Sequence, residues 1–101
     1  MKQILISTVL IAGLSAVTLS MARPAAAAEC YADYKAKQDA PLRLHYGVIQ
    51  LRGGCSKPAA KAEISGRLSA AGWTLLNVLS IFGPDGLEQR KADAGPYYLR
   101  F

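Results

Sequence analysis

The stretch AGWTLLNVLSIF, residues 71–82, constrains the fold of this chain more than any other segment. A strand with one face in water alternates apolar and polar residues, whereas this one is apolar on both faces. One face carries Trp73, Leu75, Leu79 and Ile81, and the other carries Leu76, Val78 and Phe82. The strand therefore needs a cover on each side of its sheet, in a chain of only 101 residues.

The first 28 residues have the pattern of a cleaved export signal. Lys2 provides a positive start, residues 4–19 are apolar apart from small or hydroxylated residues, and Ala26-Ala27-Ala28 offers the small residues that signal peptidase requires. We place the cut before Glu29, with a slip of one or two alanines allowed. The alternative, a retained membrane anchor, requires about 20 continuous apolar residues, and Arg23-Pro24 interrupts the run. We therefore expect a periplasmic or secreted protein.

Residues 29–101 are enough for one small domain. Without Lys2 and Arg23, ten basic residues face seven acidic ones, a net charge of +3. This excess is smaller than that of a dedicated nucleic-acid-binding protein, so we expect no nucleic-acid partner. A domain of this size buries only about 60% of the surface of its unfolded chain, so it needs a covalent link or a partner.

Cys30 and Cys55 are the two cysteines of the chain, and both lie in the part predicted to be exported. Oxidising compartments convert paired thiols to disulfides, and two cysteines allow one intramolecular pairing. The alternatives are a redox pair, which usually has Cys-x-x-Cys spacing, and a zinc site, for which the two cysteines and His45 supply only three of four ligands. The sequence predicts a Cys30–Cys55 disulfide and no metal site.

The pattern along the domain predicts an α+β fold with one helix packed on a small three-stranded sheet. Residues 29–40 are polar and suit a turn or so of helix before Pro41. A strand over 42–51 follows, with even-numbered residues on one face and odd-numbered residues on the other. Ser56 and Pro58 start a helix that Gly72 ends, and its apolar residues are Ala60, Ile64, Leu68 and Ala71.

The C-terminal third is harder to interpret. After the strand over 73–82 and a turn over 83–86, residues 87–94 suit either a helical turn or loop, which we favour, or an edge strand. Residues 97–101 suit a final strand, which gives the order strand, helix, strand, strand. The two strands joined through the helix should be parallel neighbours or flank the last strand. One helix covers one face of this sheet, and which face it covers is left open.

The residues that carry chemistry form no catalytic pattern. His45 is the only histidine, and the sequence places neither a carboxylate nor a nucleophile beside it. No G-x-S-x-G, H-E-x-x-H, phosphate-loop or dinucleotide motif occurs. We therefore expect a protein that is not an enzyme and has no cofactor.

Two surfaces are candidates for binding. If Trp73 does not simply cap the core after Gly72, it forms an apolar patch with Leu75, Leu79 and Ile81 on the uncovered sheet face, which predicts self-association as a homodimer or an envelope protein as partner. The alternative is a cell-wall glycan, for which aromatic and cationic side chains lie near the C-terminus. These are Arg90, Tyr97, Tyr98 and Arg100.

Two resemblances rest on these elements. The helix, the element AAGWTLLNV and the closing YYLRF resemble a family of small domains without known activity, built from a strand, a helix ending in an A-x-G-W-E-L-V type element, a strand and a final Y-L-K-R-like strand. This resemblance spans residues 42–101, with Thr74 replacing the usual acidic residue, and implies a fold only. The strand YGVIQL before the helix AAKAEISGRLSAAG resembles the first half of peptidoglycan-binding SPOR domains, whose second helix is missing or very short here.

Overall fold

A computed structural model describes residues 29–101, so the predicted export signal lies outside the described residues. Three strands and two α-helices follow one another as β1 (Cys30–Gln38), β2 (Arg43–Leu51), α1 (Lys57–Ala70), β3 (Thr74–Phe82) and α2 (Glu88–Ala94). Short 3-10 turns at Pro84–Gly86 and Gly95–Tyr97 flank α2. The predicted α+β class, with a helix on a three-stranded sheet, is confirmed.

The third strand of the sheet is not the one that the sequence predicted. Residues 30–38 form β1, and β1 lies in the centre of the sheet, in the order β2-β1-β3. The prediction of a helical turn over 29–40 is therefore wrong. Cys30, Ala32, Tyr34 and Ala36 alternate with polar residues along β1, and this period of two suits a central strand with one fully buried face.

The predicted strand over 97–101 is absent from the sheet. Tyr98 makes a single parallel bridge with Val48 at the outer edge of β2, and the Leu99 amide donates to the Val48 carbonyl at 2.8 Å. The segment does not continue as a strand because Tyr97 ends a 3-10 turn and Leu99 has a φ of 54°. It instead crosses the edge of the sheet.

All strand pairs are antiparallel, with β1 paired to β2 along its whole length and to β3 on its other side. The two strands joined through α1 therefore flank the N-terminal strand β1; they are neither neighbours nor on either side of the last segment, so both predicted arrangements are wrong. The alternation predicted for β2 is observed, because His45, Ile49 and Leu51 face α1 with the even-numbered residues of β1.

Helix α1 follows the sequence prediction closely. Ser56 caps its first turn, accepting a hydrogen bond from the Ala59 amide at 3.2 Å, and Pro58 lies in that turn. Ala60, Ile64 and Leu68 are fully buried against the sheet. Gly72 ends the segment with a φ of 87°, a conformation that glycine adopts at little cost.

The second face of the sheet is partly covered by α2, so the expectation of a wholly bare face is wrong. The interpretation of residues 87–94 as helical is confirmed. Arg90 of α2 bonds to Asp33 of β1, and Ala94 and Val48 are buried. Since α2 has only seven residues, it covers one end of this face and leaves the other end open. We refer to the two sides of the sheet as the α1 face and the α2 face.

Candidate functional site

The disulfide joins the start of the central strand to the loop before α1. The sulfur atoms of Cys30 and Cys55 are bonded, and their Cα atoms are 6.0 Å apart. This confirms the predicted pairing and leaves neither cysteine as a thiol.

The four residues predicted to form an apolar interface are divided by the fold. Trp73 is buried at 8% exposure, and Leu75 and Ile81 pack partly buried against the same core on the α1 face. Leu79 alone is exposed, at 39%. Three of the four residues therefore belong to the core on the α1 face. The sequence left open which face the helix covers, and the structure places α1 over these three residues.

Two irregularities in the β1–β3 pairing account for the exposure of Leu79. The register skips Leu79 between Ser80 and Val78, and it skips Leu76 between Asn77 and Leu75. Each skipped residue forms a bulge, which bends the strand and turns the side chain away from its regular position. Leu76 is 49% exposed as a result.

The strand β3 also forms an edge of the sheet, since only β1 pairs with it among the described residues. Its sequence TLLNVLSIF contains nine residues without a charge or a proline. Its outer edge thus combines unpaired backbone groups with the exposed side chains of Leu76 and Leu79.

The four residues predicted to contact a glycan lie on two sides of the molecule. The ring of Tyr97 stacks on His45, with centroids 3.8 Å apart, and the Arg100 guanidinium lies 5.6 Å from the Tyr97 ring. Tyr98 is near Lys91 of α2, and Arg90 lies over the ring of Phe82 at 3.9 Å. No single groove therefore contains all four.

His45 lies in an aromatic cluster on the α1 face. Its Nε2 atom is 2.9 Å from the Tyr34 hydroxyl, and Trp73 approaches it edge-on at 4.3 Å between centroids. The Nδ1 atom is buried without a hydrogen-bond partner in residues 29–101. Burial, assisted by the positive charge of Arg100, lowers the pKa of His45 from 6.5 to about 4. The ring is neutral at pH 7, and its hydrogen-bond partner is the Tyr34 hydroxyl.

A polar cluster on the α2 face is centred on the buried carboxylate of Asp33. Tyr46 donates to Oδ2 at 2.9 Å and Arg90 at 3.0 Å, while Ser80 donates to Oδ1 through its amide and its hydroxyl. Burial raises the pKa of Asp33, but these hydrogen bonds together outweigh it and hold the pKa below the usual range. Burial and the bond to Asp33 raise the pKa of Tyr46 to about 12. With both oxygens occupied, the cluster fastens α2 to the sheet.

The described residues show no group of three or more histidine, cysteine, aspartate or glutamate side chains arranged to hold a metal ion. No helix in residues 29–101 is long and apolar enough to cross a membrane.

Comparisons with known proteins add no relative. No family model, curated protein or solved structure matches the chain.

The aromatic cluster around His45 and the polar cluster around Asp33 both include residues of β1. The sequence analysis did not predict β1 as a strand, and it therefore missed both clusters. Tyr34 faces α1 and Asp33 faces α2, as neighbours on a strand must. The signal was the alternation of small apolar and polar residues in CYADYKAKQ, which a helical interpretation of this segment ignores.

Proposed function

We propose that this protein is an exported, non-enzymatic binding protein that associates with another protein chain along β3. The observation that carries the proposal is the composition of this edge strand, which has no charge or proline and exposes Leu76 and Leu79. Edge strands of natural proteins usually carry charges or prolines that prevent pairing with other chains. In β3 the two bulges are the only feature that would hinder pairing with another chain.

A second copy of the chain is the partner that this strand fits best. Two copies of β3 paired antiparallel around a two-fold axis would place no like charges opposite each other, because the strand is uncharged. The pairing would join two three-stranded sheets and cover the exposed leucines. A different envelope protein is the alternative partner.

Export supports this function. The N-terminal pattern favours it, and the disulfide is of the kind that forms and persists in oxidising compartments. Such a cross-link suits a small domain that works outside the reducing cytoplasm.

Sedimentation velocity over a range of concentrations tests the association. We expect a concentration-dependent dimer, and we expect Leu79→Lys and Leu76→Lys to give folded monomers because both side chains are already exposed. Leu99→Lys is the matched control, since Leu99 is 43% exposed but lies outside β3. A wild-type protein that stays monomeric at the highest concentration, or a control that dissociates equally, would contradict pairing of two copies.

Glycan binding is the second candidate, and the pair of Arg100 and Tyr97 supports it. Their cation–π geometry resembles the combination of charge and aromatic surface that binds sugars with acidic groups. Co-sedimentation with purified cell-wall sacculi tests this function, with Arg100→Gln as the variant. Protein that remains in the supernatant at low salt, where charge attraction is strongest, would contradict it.

A further inference from the structure

The turn between β1 and β2, together with the strand ends beside it, forms a tip at the end of the sheet that α2 leaves open. Leu42 and Leu44 are 64% and 65% exposed, more than any other large apolar side chain in residues 29–101. Leu44 lies in β2 and points to the α2 face with Tyr46 and Val48, and Leu42 lies in the turn two positions before it. The most exposed apolar side chains of the domain are therefore adjacent.

A groove of about 240 Å³ lies beside Leu44. Leu44, Tyr46, Lys35 and Leu76 line it, and the strands at Ala36 and His45 form part of its wall. The exposed Lys35 side chain places a positive charge in an otherwise apolar recess.

Charged residues around the tip are mostly basic. Lys35, Lys37 and Arg43 lie at this end of the sheet, and Asp39 is the acidic residue among them. Asp39 pairs with Lys37 at 3.1 Å. Within the described residues, neither Lys35 nor Arg43 forms a salt bridge. The tip therefore carries two cations without a salt bridge, Lys35 on the α2 face with Leu44 and Arg43 on the α1 face, between Leu42 and Leu44 in the sequence.

We propose that this tip binds the surface of a membrane that contains anionic lipids. Leu42 and Leu44 enter the boundary between headgroups and acyl chains, and Lys35 and Arg43 lie beside lipid phosphates. Apolar insertion and electrostatic attraction to anionic lipid are the two contributions from which reversible membrane binding is built. The proposal goes beyond the proposed function and does not depend on pairing along β3.

The size of the tip favours a lipid surface over a protein. A stable protein interface buries about 800 Å² on each partner, and two leucines with a narrow groove provide only a small part of that area. A lipid surface needs no matching shape, so a few inserted side chains and two positive charges are sufficient for reversible attachment.

Co-sedimentation with vesicles tests the proposal, using protein purified after export. The probes are vesicles of phosphatidylcholine alone and of phosphatidylcholine mixed with phosphatidylglycerol. We expect binding to the mixed vesicles at low salt and its loss as salt is raised. The double variants Leu42→Gln/Leu44→Gln and Lys35→Gln/Arg43→Gln should each weaken binding by at least about tenfold.

Two control variants each carry one change of the same kind away from the tip. Leu99→Gln removes an exposed leucine, and Arg52→Gln removes an exposed arginine; both should bind within about twofold of wild type because they lie outside the tip. Circular dichroism confirms that each variant is folded. Absence of binding to the mixed vesicles at low salt would overturn the proposal, and would leave a protein partner for the tip. Equal weakening by tip and control variants would also overturn it.

Discussion

At the scale of single residues, the closest packing in the sheet is between Gly47 and Tyr34. The two are register partners on β2 and β1, and the Tyr34 ring lies across Gly47. A Cβ atom at position 47 would overlap the phenol ring. This ring is fully buried, and its hydroxyl bonds to His45, so it has little room to move.

Gly47→Ala should therefore destabilise the domain by about 1–3 kcal/mol, the usual cost of forcing extra atoms into a packed core. Gly66→Ala is the matched control. Gly66 is exposed in the middle of α1 with nothing within 4 Å of an added Cβ, so this change should stabilise by up to about 1 kcal/mol. Urea unfolding of the two variants checks both signs. Equal changes in the free energy of unfolding for the two variants would contradict the overlap between a Cβ at position 47 and the Tyr34 ring.

The buried His45 makes stability depend on pH. Its pKa is about 4 in the folded protein and 6.5 ordinarily, so between these values the unfolded chain binds the additional proton. The contribution of His45 is complete above pH 6.5 and is lost as the pH falls to about 4. Urea midpoints of the wild type should decline as the pH falls below 6.5, whereas those of His45→Gln should stay flat down to about pH 5, where carboxylates begin to bind protons.

A second loss at lower pH has a different origin. The pKa values of Asp33 and Glu63 are held below their usual range, for Glu63 by the amides of Gly53 and Arg52 and by Arg67 against the opposing effect of burial. Their stabilising contribution is lost as these carboxylates are protonated. The His45→Gln variant should retain this acid transition. A His45→Gln variant that still declines between pH 6.5 and about 5 would contradict the assignment to His45.

At the scale of elements, α2 is fastened to the sheet by few contacts, of which the Asp33–Arg90 pair is central. Asp33→Ala would leave Arg90, Tyr46 and the Ser80 amide without their acceptor in a poorly hydrated site. We expect a cost of about 3 kcal/mol. Lys37→Gln breaks the exposed pair with Asp39 and should cost less than about 1 kcal/mol. Thermal unfolding separates the two, and similar melting temperatures would contradict a structural role for Asp33.

The same elements show what local sequence signals predict. Helix α1 was predictable because its cap, proline, apolar spacing and terminal glycine all agree within one segment. The strand β1 was not, because its small alanines and polar residues carry little β-propensity of their own and become a strand through pairing on both sides. The terminal YYLRF has strand-forming residues, yet tertiary contacts of Tyr97 with His45 decide its conformation.

The candidate site was also predictable only where local sequence signals suffice. Cys30 and Cys55 needed only their number and the export pattern. The exposure of Leu79 depends on bulges in the pairing with β1, and the separation of Tyr97 from Tyr98 depends on where the chain crosses the edge of β2. Both are properties of strand pairing that no short stretch of sequence contains.

At the scale of the whole molecule, the disulfide closes a loop that spans the β1–β2 hairpin, with a sequence separation of 25 residues. Replacing both cysteines by serine should cost about 3.5 kcal/mol in the chain-entropy model. For a domain of this size that loss corresponds to a decrease in melting temperature of about 15–25 °C. Calorimetry with and without reductant checks the value. A melting temperature unchanged by reduction would contradict it.

The central position of β1 has a consequence for the integrity of the chain. Cleavage of the turn at residues 39–42 would separate β1 from the rest of the chain in sequence. Here the severed peptide would remain as the middle strand, hydrogen-bonded on both sides and covalently held through Cys30. A protease that nicks the exposed hairpin tip would thus leave a two-chain protein with the same sheet, and only the combination of nicking and reduction would dismantle it.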